Sequence, residues 1–99
     1  MHIRQAQITQ PWLLAYSSVC LTTLQLSRHV VLHAMKSTGK LAGTFEQWDH
    51  GNPIDIQLIK DMSADLMSAA MRLANIHEFD LENELIRRQK EKNGLSSTD

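Results

Sequence analysis

Residues 54–76 read "IDIQLIKDMSADLMSAAMRLANI". Ile54, Leu58, Ile59, Met62, Leu66, Ala69, Ala70, Leu73 and Ile76 recur at steps of one, three and four, which places them on one face of an α-helix. A helix with so long an apolar stripe must lay it against other helices. Just upstream, "DHGNP" (49–53) is a turn by composition. Asn52 as N-cap, Pro53 at the first helical position and Asp55 in the first turn predict that the helix starts there. It should end near His77. Downstream, Asp80 predicts a cap for a last helix from Leu81 to about Lys92. Glu82 and Glu84 sit near its positive end, and Arg87, Arg88, Lys90 and Lys92 lie toward its negative end. Asn93-Gly94 is a stop signal, leaving 94–99 as a flexible tail.

Towards the N-terminus, residues 1–10 read as a polar lead-in and Pro11 as the first turn of a helix. Leu13, Leu14, Val19, Leu21, Leu24, Val30, Val31, Ala34, Met35, Leu41 and Ala42 keep an approximately helical period. That span is either one helix or two broken near 24–28, and its length favours a break or kink. The predicted fold is an all-α antiparallel bundle of three to four helices over residues 11–93. Its apolar positions spread over more than one face, so completion by oligomerisation is expected, as a homodimer or homotetramer.

The 99 residues suit one domain, and 42% apolar with 21% charged residues is ordinary for a globular chain. A net charge of −1 gives no whole-chain attraction to nucleic acid or to anionic membrane. Cys20, the single cysteine, cannot form an internal disulfide and is expected to be buried in an apolar helix, which fits a reducing cytoplasm. "PWLLAYSSVCL" (11–21) has the flavour of a signal-peptide core. It is broken by Tyr16, Ser17 and Ser18, lacks a small-residue cleavage pattern, and falls short of the ~20 apolar residues of a membrane span. It reads as a core helix, with no membrane partner.

The chemistry-bearing residues cluster around "MKSTGKLAGTFEQW" (35–48). Glycine costs a helix interior about 1 kcal/mol relative to alanine, so a Lys-Ser-Thr-Gly-Lys run in mid-helix asks for a reason. It is not a phosphate loop: Ala34 stands at the earlier glycine position, Leu41 follows Lys40, and a helix rather than a strand precedes it. His29, His33, Lys36 and Lys40 form one helical stripe whose lysines would repel a metal cation and suit an anion or an acidic surface. Asp61 and Asp65, at i and i+4, form a pair that can hold Mg²⁺ or simply face solvent. Trp48 with Phe45 could stack on a base, although core packing is the simpler expectation; Met62, Met67 and Met71 are expected to fill the core.

Taken in order, "TGKLAGTFEQW", a short turn and "KDMSADLMSAAMRLANIHEFDLENEL" resemble the MazG-like branch of the all-α NTP pyrophosphatases, over about residues 28–93. In that family a Glu-x-x-Glu on one helix and a Glu-x-x-Asp on the next gather Mg²⁺, which bridges nucleotide phosphates and activates water. The i, i+3 spacing sets each carboxylate pair on one face. Gly39, Leu41, Ala42 and "RLANIHEFDL" (72–81) match the family pattern. The metal positions fall on Ser37, Lys40, Met62 and Asp65, so one carboxylate in four remains. For the family's downstream phosphate contacts this chain offers Arg88, Lys92 and Asn93, without the tyrosine.

The resemblance implies a MazG-like pyrophosphohydrolase scaffold without its magnesium site. It would be a non-catalytic binding or interaction module for a nucleotide or protein ligand, with no metal or cofactor expected. Lys40, standing where an ion would be, is expected to pair with Asp65. Two alternatives remain. One is an active Mg²⁺-dependent NTP/dNTP pyrophosphohydrolase whose rearranged site uses Asp61, Asp65 and His33. The other is an unrelated small helical regulator.

Overall fold

The computed structural model describes residues 2–9 and 22–97, with side chains through Asn93. Four helices follow one another among them: α1 (Ile3–Ile8), α2 (Thr23–Asp49), α3 (Ile56–Ile76) and α4 (Leu81–Ser97). No strand occurs among the described residues, so the all-α expectation holds. The helix predicted to open at Pro11, and the buried position of Cys20 within it, lie outside the described residues.

α2 starts because Thr22 closes a capping box. Its hydroxyl accepts the Gln25 N–H at 3.1 Å, and the Gln25 side-chain oxygen accepts the Thr22 N–H at 2.9 Å. From there 27 residues run unbroken through 24–28, where a break was one of the two expectations. α2 and α3 then form an antiparallel hairpin. On α2, Ser27, Val30, Ala34, Ser37, Leu41 and Thr44 alternate steps of three and four, the spacing of a coiled-coil seam, and all are buried or half-buried. Opposite it, every member of the predicted apolar stripe, from Ile54 just before α3 to Ile76 at its end, is buried or half-buried, with Met62 and Ala69 the most enclosed. Both ends of the hairpin are tied. Ser27 Oγ lies 2.6 Å from His77 Nε2, and the Asp55 N–H donates to Thr44 Oγ1 at 3.4 Å.

The turn between these helices works differently from the predicted one. Gly51 takes a φ of 89°, a left-handed conformation that glycine adopts without strain. The Asn52 N–H donates to Gln47 O at 3.0 Å, and its side-chain amide donates to Gln47 Oε1 at 2.7 Å. Asn52 therefore finishes α2 and is not the cap of α3. That role falls to Asp55, whose carboxylate accepts the Leu58 N–H at 3.0 Å, so α3 begins at Ile56.

The expected lead-in is also corrected, because residues 3–8 form a helix docked on the α3–α4 corner. Its anchor is Gln7, 1% exposed. The Gln7 side chain donates to Phe79 O at 2.8 Å and accepts the Leu81 N–H at 3.1 Å, while its backbone oxygen accepts from Asn75 Nδ2 at 2.7 Å. Arg4 adds an exposed ion pair to Asp80 at 3.6 Å. Asp80 caps α4 as predicted, accepting the Asn83 N–H at 3.2 Å. α4 does not stop at Asn93-Gly94 but continues to Ser97. Within it, Arg87 holds Glu84 and Glu91 on either side, at i−3 and i+4. The hydrogen bond to Glu84, with the charges of Glu84 and Glu91, keeps the Arg87 guanidinium above its usual pKa.

The hairpin leaves much apolar surface bare. Among the described residues, the buried apolar ones are Val30, Met62, Ala69, Met71 and Ala74. Exposed are Leu24, Val31, Met35 and Phe45, together with Met67 and Trp48. The core-filling expectation thus holds for Met62 and Met71 and fails for Met67, and Phe45 and Trp48 are not core residues. The radius of gyration is 16.6 Å, against about 13 Å for a compact chain of this length.

Candidate functional site: a polar cleft between α2 and α3

Half-way along the hairpin the seam is built from small residues. Ala34 and Ser37 on α2 meet Ala69 on α3, and short side chains cannot fill the space between helix axes some 8–10 Å apart. The result is a cleft of about 120 Å³, walled by those three residues and by His33, Asp65 and Arg72. At ~30 Å³ per water this is room for a small cluster of waters or one tetrahedral ion. Arg72 reaches it from α3, seven residues along from Asp65 and so on the same side of the helix. Its Nε is buried, while Asp65 is exposed at the rim.

The cleft unites part of what the sequence pointed to. Ser37 and Asp65 share it, and His33 joins them. Lys40 and Met62 do not. Lys40 is exposed, and Met62 is buried at 7% exposure inside the seam. The predicted ion pair between Lys40 and Asp65 does not form. The ion pairs seen at Arg4–Asp80, Arg87–Glu84, Arg87–Glu91 and Arg88–Glu91 involve neither residue. One turn of α2 carries Lys40 beyond the cleft, where solvent satisfies it. Asp61 is also exposed, and its carboxylate accepts from Gln57 Nε2 at 2.9 Å. His33 meets a ring from its own helix, the His29 centroid lying 4.5 Å away.

No grouping of three or more His, Cys, Asp or Glu side chains suited to a metal occurs among the described residues. Magnesium takes a shell of oxygen ligands, and one carboxylate and one hydroxyl beside a guanidinium do not furnish it. The site residues present therefore do not fit the ion that the family resemblance brings with it. Arg88, Lys92 and Asn93 lie on α4, outside the residues that wall the cleft, and Arg88 is 3.3 Å from Glu91. Trp48 is 58% exposed near the end of α2.

Known families offer no nearer guide. No protein-family model, characterised protein or solved structure matches this chain. Among the described residues, no helix is long and apolar enough to cross a membrane.

Two residues that matter here carry little signal in the sequence. Arg72 was visible only as part of a matching run, although its i+7 distance from Asp65 signals a shared face. Gln7 carries no periodic signal, because its burial comes from a partner more than seventy positions away.

Proposed function

We propose that the chain is a MazG-like pyrophosphohydrolase scaffold that does not hydrolyse nucleotides and acts as a binding module, working as a homodimer or a dimer of dimers. The observation that carries this reading is the donor set of the α2–α3 cleft. Of the four positions that the resemblance would equate with the family's carboxylates, only Ser37 and Asp65 line this cleft, and His33 and Arg72 complete its polar lining. A guanidinium among would-be Mg²⁺ ligands repels the ion by several kcal/mol at an effective dielectric of about 20. The bare stripe of Leu24, Val31, Met35 and Phe45 supports assembly, because it lies on α2 at heptad-like spacing beside the used seam.

A competing reading draws on one observation: His33 and Asp65 do share the cleft, as a rearranged hydrolytic site would need. Asp61, the third member of that set, does not line it. The two readings separate on release of pyrophosphate from a panel of NTPs and dNTPs with Mg²⁺. Background rates are expected throughout. Turnover abolished both by chelator and by Asp65→Ala would replace the binding module with an enzyme.

A further inference from the structure

We infer that the α2–α3 cleft is a metal-free oxyanion site that takes the phosphate of a small phosphorylated ligand. The inference rests on the reading above, that this hairpin has lost its magnesium chemistry, and adds what took its place. Three features converge. Arg72 enters the cleft with its Nε buried, so its planar cation is held in the wall instead of moving freely in water. A guanidinium fork matches two oxygens of a phosphate at once. Ser37, 9% exposed, adds a hydroxyl, and His33 adds a ring nitrogen. The size agrees, since about 120 Å³ is room for one tetrahedral ion.

The surroundings set the sign. Lys36 and Lys40 are exposed on the same stripe of α2 as His33, so the rest of a ligand would leave the cleft along a basic edge. Against these stand Asp61, engaged by Gln57, and Asp65 at the rim. Asp65 is the residue on which an anion site and a cation site make opposite demands. It would be the best ligand for Mg²⁺, and it is the main repulsion for a phosphate.

That opposition supplies the test. The full chain is titrated by calorimetry with inorganic phosphate and with a nucleoside monophosphate, both in the presence of EDTA. Saturable binding at one site per chain is expected for both, and tighter binding of the nucleotide would show that the basic edge contributes. Arg72→Gln should weaken binding about tenfold or more, as loss of a charge-assisted hydrogen bond does. Asp65→Asn should tighten it a fewfold. Because Arg72 is partly buried and its variant could misfold, Lys40→Glu serves as the exposed second probe, and it should weaken binding severalfold. No saturation below about 10 mM of either probe would overturn the oxyanion site and leave the non-catalytic scaffold standing. Binding that requires Mg²⁺ and vanishes in Asp65→Asn would overturn both.

Discussion

Lys40 shows how far one side chain can be placed from a helical period. Its position on the basic stripe of α2 follows from counting residues, but its distance from Asp65 depends on where two helices cross. It ends in solvent, with no ion pair to Asp65. Lys40→Ala should therefore change unfolding free energy by less than ~1 kcal/mol in denaturant titration, the range of exposed charges. A larger loss would mean that the lysine is engaged after all. Gln7 is the opposite case. It looks like one polar residue in a polar stretch, yet it is enclosed and answers two backbone groups of the α3–α4 corner. Gln7→Ala leaves Phe79 O and the Leu81 N–H without that partner, and should cost about 1–3 kcal/mol. Chemical denaturation of the variant measures this, and amide exchange near Leu81 should accelerate with it.

Among the elements, α3 was the most legible, because an amphipathic stripe over its 21 residues leaves few alternatives. Its end near His77 agrees with prediction; its start does not. Asn52 and Asp55 both have the chemistry of an N-cap, and local sequence does not rank them. The choice was made by Gln47, which accepts both the Asn52 N–H and its side chain, so that Asp55 was left to cap α3. Asp55→Ala should consequently cost about 1 kcal/mol, a typical loss for a helix cap. Asn52→Ala should act instead on the close of α2. If thermal melting ranks Asn52→Ala as the variant with the lower α3 stability by site-resolved exchange, the cap has been misassigned. The cleft belongs to this scale too. The small residues Ala34, Ser37 and Ala69 were each readable, but a gap between them exists only because the register sets them opposite one another.

At the scale of the molecule, five buried apolar residues among the described ones are a thin core, and the radius of gyration is 16.6 Å. Leu24 is 75% exposed and Met35 64%. They share with Val31 and Phe45 a stripe of α2, at steps of seven, four and ten, that lies one residue round from the seam already packed on α3. Such a helix suits contact on two sides, one within the chain and one with a second copy. Light scattering at tens of micromolar protein should give at least twice the 11.3 kDa chain mass. Met35→Asp should lower that mass toward the monomer while the far-ultraviolet helical signal stays largely in place. A wild-type chain that scatters as an 11.3 kDa monomer would sink the assembly.

Helix type, the hairpin turn at 49–53, the Asp80 cap and the polar stripe of His29, His33, Lys36 and Lys40 were all determined by the sequence itself. These properties arise from residues within about one helical turn of each other, where periodicity and capping chemistry act directly. The docking of α1 through Gln7, the passing of the α3 cap to Asp55, the exposure of Phe45 and Trp48, and the meeting of Ser37, Asp65 and Arg72 were decided by the tertiary structure. Each depends on helix register or on a partner far along the chain. A difference of a few ångströms in how two helices cross decides whether a side chain enters the cleft, as Arg72 does, or ends in water, as Lys40 does.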